Sequence, residues 1–164
     1  MSSTIKEFEI KAKDFIHAGE GSIELRNILK SMELDADIIQ RVSICAYEAE
    51  MNVVMYGGNG IISMILDETG IVVEVMDKGQ GIVDINLALT EGYTTAGEEV
   101  QQMGFGAGMG LPNIIRNSDY FNIYSEKDKG TYLIMCFWFN NRRGKECRGR
   151  LFTIWDNNKH NGVV

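Results

Sequence analysis

The chain has 164 residues, with 16 Lys and Arg against 23 Asp and Glu, giving a formal net charge of −7. That length suits one compact domain and leaves little room for a second. At 45% apolar and 24% charged residues, it is too apolar for a disordered chain, and its acidic balance counts against nucleic-acid binding, which needs clustered Lys and Arg. Three Cys without a CxxC pair argue against a disulfide framework and a zinc knuckle. The start carries no uninterrupted apolar stretch of the kind a secretory signal needs, and no run approaches the roughly 20 residues of a membrane helix. A cytoplasmic enzyme or binding module is expected.

Charge and glycine are both uneven. Eight of the 18 Gly fall at Gly79, Gly81, Gly92, Gly97, Gly104, Gly106, Gly108 and Gly110. From Asn140 onward six basic residues face two acidic ones, a local balance of +4 that leaves −11 on the first 139 residues.

In chain order, Phe8, Ile10 and Ala12 alternate with charged residues and predict an edge strand. Ile23, Leu25, Ile28, Leu29 and Met32 recur at helical spacing. Asp35 or Asp37 caps a second helix, whose stripe of Ile38, Ile39, Val42, Cys45, Ala46, Ala49 and Val53 runs to about Gly57. Residues 62–77 predict two strands around a turn at Thr69-Gly70, and Asp84 starts a short helix with Ile85, Leu87 and Leu89. Gly92 to Gly110 shows no sustained period and reads as a functional lid. Leu111 to about Asn117 predicts a helix with Pro112 in its first turn. Residues 121–126 and 131–139 predict two more strands, the second apolar enough to be central. The order implies an α/β two-layer sandwich: a mixed, largely antiparallel sheet covered on one face by helices. Regular strand–helix alternation and a GxxxxGK[ST] loop are both missing, which excludes a doubly wound nucleotide fold and a P-loop.

Three features carry chemistry. Glu48 and Asn52 lie four apart on one helical face, where a carboxylate and a carboxamide could position a hydroxyl or hold magnesium. Asp77-Lys78-Gly79-Gln80-Gly81-Ile82 ends a strand with an acceptor and two glycines that let backbone approach a flat ring. Gly106-Ala107-Gly108-Met109-Gly110-Leu111 opens a helix whose free N–H groups suit a polyphosphate. Each alone also fits a bland reading: a solvated helix face, a strand-to-helix turn, a hinge. Their joint order, with Gly130-Thr131 downstream, is far more specific.

With these motifs in place, the chain from about Thr4 to Phe139 resembles the Bergerat-fold (GHKL) ATPases. Glu48…Asn52 is similar to their N box, Asp77-x-Gly-x-Gly and Gly106-x-Gly-x-Gly-Leu to their glycine boxes, and Gly130-Thr131 to their last box. Residues 46–52, 91–96 and 108–112 resemble the small anti-sigma factor and switch serine/threonine kinases of bacterial partner-switching systems. The resemblance implies ATP with Mg2+ as cofactors, Asn52 as the magnesium ligand and Glu48 as the general base. It implies that Asp77, supported by Thr131, accepts from the adenine amino group while Gly79, Gly81 and Ile82 pass the ring. Gly106, Gly108, Met109, Gly110 and Leu111 would cradle phosphates under a lid from about Thr94 and Thr95 to Met103. The acidic stretch Gly97–Gln102 departs from that branch.

The implied function is phosphorylation of a small anti-anti-sigma-type (STAS-like) protein, with a sigma factor or switch phosphatase as further partner and a homodimer as a possible assembly. The alternatives are an anti-sigma factor that sequesters its target and, less favoured, a histidine-kinase-type catalytic domain. His17 and His160 lie far from the boxes and read as surface or local structural residues. Cys45 and Cys136 read as buried apolar residues, and Cys147 as an exposed thiol. Residues 1–139 form the expected kinase domain and 140–164 a basic extension. Its Leu151, Phe152, Ile154 and Trp155 leave three readings open: docking on the domain itself, a partner or dimer contact, or a flexible tail.

Overall fold

A computed structural model describes residues 2–141 and 147–161. Five strands, β1 (Thr4–Ile10), β2 (Gly60–Asp67), β3 (Gly70–Asp77), β4 (Tyr120–Glu126) and β5 (Gly130–Trp138), form one sheet in the order β1-β2-β3-β5-β4. Every neighbouring pair is antiparallel, so the sheet has no parallel component and the expected mixed character is corrected. The main reason is local: two of the four pairs are hairpins closed by short turns, and only antiparallel strands can be joined that way.

Among the described residues six α-helices accompany the sheet: α1 (Glu20–Ser31), α2 (Ala36–Tyr56), α3 (Ile85–Ala88), α4 (Glu98–Gln102), α5 (Gly110–Asn117) and α6 (Phe152–Asn161). Asp35 caps α2 by accepting from the Asp37 N–H at 2.8 Å, and Asp84 caps α3 by accepting from the Leu87 N–H at 3.0 Å. The lid is not wholly irregular, because α4 forms inside it with Glu98 and Glu99 in its first turn, where negative charge suits the helix dipole.

Strand alternation separates two cores. Ile71, Val73 and Val75 of β3, with Leu133, Met135 and Phe137 of β5, point inward against Leu25 and Leu29 of α1, Val42, Cys45 and Ala46 of α2, and Ile114 of α5. Met76 of β3, with Tyr132, Ile134, Cys136 and Trp138 of β5, points to the opposite face, where Leu151 and Trp155 cover it. Helix thus lies on both faces of the sheet. The single covered face expected from sequence is corrected by the C-terminal segment, whose apolar residues find a second apolar sheet face.

Two buried carboxylates hold helix starts in place. Glu50 (α2), 3% exposed, accepts from the backbone N–H groups of Gly21 at 3.1 Å and Ser22 at 2.8 Å at the head of α1. Glu74 (β3), fully buried, accepts from Tyr132 Oη at 2.7 Å and from the N–H groups of Arg150 and Leu151 at 2.9 Å each. Burial and the neighbouring Glu74 push the Tyr132 hydroxyl well above its ordinary pKa. Glu50→Ala removes an acceptor from two N–H groups inside the fold, and should cost about 3 kcal/mol of stability in urea denaturation.

Candidate functional site

α2 and α5 bring the first and third motifs together. Glu48 and Asn52 share the α2 face that looks onto the start of α5. A Cβ on Gly110, the first residue of α5, would stand 3.3 Å from both Glu48 Oε2 and Asn52 Oδ1; a residue without a side chain lets the helix terminus come this close. One turn on, Asn113 Nδ2 donates to Glu48 Oε1 at 2.9 Å, leaving Oε2 directed at the N-terminus of α5. A hydrogen-bonding carboxylate, a carboxamide and a helix N-terminus therefore share one corner.

The second motif ends β3. Asp77 stands opposite Thr131 in the β3–β5 register and is 7% exposed. Its Oδ1 accepts from the Gly79 N–H at 2.7 Å, and the Gly58 N–H also donates to this carboxylate. Burial raises the Asp77 pKa, and those two backbone donors oppose it. Ser125 Oγ donates to the Gly130 carbonyl at 3.0 Å and accepts from the Ile82 N–H at 2.7 Å. With the serine hydrogen already used, Thr131 is the donor in its 2.8 Å pair with Ser125, and its lone pairs remain available. Gly81 has φ +70°, and a Cβ there would run into the Glu126 carbonyl, so the Gly81–Ile82 backbone lies flat against the β4–β5 turn.

The two corners face each other across a cavity of about 810 Å³, a size that accommodates a nucleotide-scale ligand. Glu48, Asn52, Asp77 and Thr131 all line it, as do Gly81 and Ile82. Thr94 and Thr95 line its lid side, and Gly106, Gly108, Met109, Gly110 and Leu111 line its floor near α5. Gly79 is not among the lining residues: its backbone packs on Gly57 and Gly58, so its lack of a side chain shapes the turn.

The lid is closed at its base by the Gly92 N–H donating to the Gly108 carbonyl at 2.9 Å and by an ion pair between Glu91 and Arg116. Gly108 adopts φ +74° with Gly92 and Tyr93 backbone against it. The Tyr56 and Thr94 hydroxyls pair at 3.1 Å, tying the lid to the end of α2. The acidic stretch that departs from the family pattern is turned outward: Glu98 and Glu99 are exposed and outside the cavity lining. Met103 is exposed, whereas Met109 lines the cavity.

Several residues of the site are missing from the motifs read in the sequence. Tyr56, which lines the cavity, follows Asn52 by four, and Asn113, which holds Glu48 from behind the lining, follows Gly110 by three, so helical spacing is the signal that points to both. Lys127 and Asp128 reach the cavity only because the β4–β5 turn folds over its edge, and nothing in the sequence announces that. His17 lies outside the cavity and pairs with Asp14 at 2.8 Å, which raises the His17 pKa and lowers that of Asp14. The side chain of His160 lies outside the described residues. Cys45 is buried and free, its pKa pushed up to about 12 by desolvation. Cys136 and Cys147 form a disulfide, so the expected lone exposed thiol at Cys147 is corrected: the fold closes a pair that an odd count and wide spacing conceal.

Residues 19–137 match the family described as "Histidine kinase-like ATPase domain". The chain belongs to this family. Its match spans every residue of the cavity corners, from Glu48 to Thr131, and ends one residue before the last of β5. Over 117 residues the chain is 28% identical to "Serine/threonine-protein kinase RsbT" of Bacillus subtilis, covering 69% of this chain and 82% of that protein. Over 110 residues it is 30% identical to "Anti-sigma F factor" of Clostridium acetobutylicum, covering 63% and 73%. Membership makes this an ATP-using domain, and among the described residues no helix is long and apolar enough to cross a membrane.

Proposed function

We propose that this protein is an ATP-dependent serine/threonine protein kinase of a partner-switching system, with a small STAS-like anti-anti-sigma-type protein as its substrate. The observation that carries the reading is the meeting of Glu48, Asn52 and the Gly110 helix terminus in one corner of the cavity. It joins a base, an oxygen donor and an anion site, which are the parts that transfer to a hydroxyl requires.

ATP would supply the γ-phosphoryl group and magnesium would neutralise its charge. Asp77 accepts from the adenine amino group, and Thr131 supports that end with its free lone pairs. Ile82 and the flattened Gly81 backbone border the ring. The N–H groups of Gly110 and Leu111 at the head of α5 hold phosphate oxygens, with Gly106, Gly108 and Met109 shaping the floor and Thr94 and Thr95 the lid. Asn52 Oδ1 is the oxygen donor positioned for magnesium, a hard cation that binds few protein ligands. Glu48 Oε2 takes the proton from the attacking serine or threonine hydroxyl while Asn113 fixes the other oxygen. A histidine acceptor would not need that base, which disfavours histidine-kinase chemistry.

The setting we propose is the cytoplasm, with a sigma factor or a switch phosphatase as second partner. Residues 140–164 are proposed to be an addition to the ATP-binding domain, supported by a family match that stops at 137. The relative named as an anti-sigma factor supports a second reading, in which nucleotide binding serves sequestration of a target. Incubation of labelled ATP with the chain and a STAS-like protein separates the two: label moves to the partner in the first and stays on nucleotide in the second. Asn52→Ala should abolish the magnesium dependence of ATP binding in calorimetry. Unchanged magnesium dependence would remove Asn52 from the site.

A further inference from the structure

We propose that Cys136–Cys147 is a thiol–disulfide exchange site, and that dithiol reductants act on it to release the C-terminal segment from the outer face of the sheet. Cys136 sits in β5 on the face turned away from the ATP cavity, and Cys147 lies in the segment that leads into α6. Their Cα atoms are 6.1 Å apart, within the span that a disulfide bridges. The segment beyond Cys147 is seated on β3, β4 and β5 at three points. Glu74 takes the N–H groups of Arg150 and Leu151, Leu151 and Trp155 are buried, and Phe152 lies 4.9 Å from the Tyr124 ring and 5.3 Å from that of Tyr132. Arg150 also reaches Glu7 of β1 at 3.4 Å. A covalent tie at the head of this segment makes its seat a short-loop closure, while the carboxylate and the rings alone leave it able to lift.

The two sulfurs are not equivalent. Cys136 is fully buried, and Cys147 is half-buried. An attacking thiolate therefore reaches the Cys147 sulfur. It forms a mixed disulfide there, and Cys136 leaves as a thiolate and takes a proton. The second thiol of the dithiol then attacks the reductant's own sulfur in that mixed disulfide, freeing Cys147 as a thiol and closing the oxidised dithiol. One disulfide and one dithiol become two protein thiols and one external disulfide. In the cytoplasmic setting proposed above, a disulfide is characteristically a transient or sensing one. Release uncovers Met76, Ile134 and Trp138, and leaves Glu74 without two of its donors.

The test is hydrogen exchange, followed by mass spectrometry, on the full chain oxidised and after treatment with dithiothreitol. For a sequence separation of 11, loop-closure entropy corresponds to roughly a 100-fold change in docking. The amides of Arg150 and Leu151 should exchange faster by about that factor in the reduced protein, and slow again on reoxidation. Cys147→Ser should exchange fast in both conditions, and Cys45→Ser should respond like the wild type. Equal exchange with and without reductant overturns the proposal. So does acceleration spread equally over β3 and β5, which would report unfolding of the sheet. Three reactive thiols in the oxidised, denatured chain would overturn it at the outset.

Discussion

Glu48→Gln should lose phosphoryl transfer by roughly 10²–10⁴-fold while still binding ATP, the scale on which a positioned general base acts. Glutamine keeps the shape of the side chain and can still accept from Asn113 through its amide oxygen, so the α2–α5 corner stays assembled. What disappears is the basic oxygen at Oε2, which is replaced by an amide that cannot take a proton. Binding should survive because the proposed site holds the phosphates on backbone N–H groups of α5 and the adenine end on Asp77, neither of which this change touches. Single-turnover transfer from labelled ATP to a STAS-like protein measures the loss, and calorimetry measures the retained affinity. Glu50 is no control for this experiment, despite lying two residues away, because it anchors α1. Glu24, exposed on α1, is the suitable one, and Glu24→Gln should transfer at the wild-type rate. Full activity in Glu48→Gln would remove the base from the mechanism and favour sequestration.

Asp77→Asn should weaken ATP by about 10–150-fold, equivalent to the roughly 1.5–3 kcal/mol carried by a hydrogen bond to a charged group. The asparagine oxygen can still accept from Gly79 and Gly58, which turns its NH2 toward the cavity and sets donor against the adenine amino donor. The same change should leave the nucleotide-free protein as stable or more so at neutral pH. Burial raises the Asp77 pKa above its ordinary value of 3.8 in the fold, so the native state holds this proton more tightly than the unfolded state does. Stability from this group is present at low pH and is lost as pH rises from 3.8 through the raised native value. Asparagine does not titrate and removes that loss. Urea denaturation between about pH 3 and 7 should therefore show a smaller decline for Asp77→Asn. Wild-type ATP affinity in this variant would sink the adenine assignment.

Both experiments rest on residues that the amino-acid sequence already singles out. Glu48 and Asn52 stand out because a four-residue spacing on an apolar-striped helix places them side by side, and Asp77 because an acid followed by two glycines ends a strand. The hairpin turns at Glu68-Thr69 and residues 127–129, each followed by the glycine that opens the next strand, fall where glycine and polar residues interrupt apolar runs. Spacing does not reveal that Gly79 spends its lack of a side chain against Gly57 and Gly58, since the partner backbone comes from the end of α2. Asn113, which holds Glu48 across 65 residues, and Ser125, which takes the Ile82 N–H across 43 residues, contribute through contacts between elements distant in sequence.

Local order in this protein follows from its amino acids read in line. Periodicity marks its strands and helices and caps mark their ends, because each of those signals depends on neighbours within a few residues. Each glycine box is likewise a short local spacing, and the boxes together carry the family resemblance that implies ATP and kinase function. The far side of the sheet is a matter of long-range contact alone. Glu74 reads in sequence as a polar interruption of an apolar strand, Cys136 as one more apolar residue, and Leu151 and Trp155 as oddities in a basic tail. They become one assembly because alternation along β3 and β5 turns Glu74, Tyr132 and Cys136 to the same face. The returning chain then brings backbone donors to a fully buried carboxylate. Contacts across 76 and 77 residues of sequence leave no local period, and only the fold can close them.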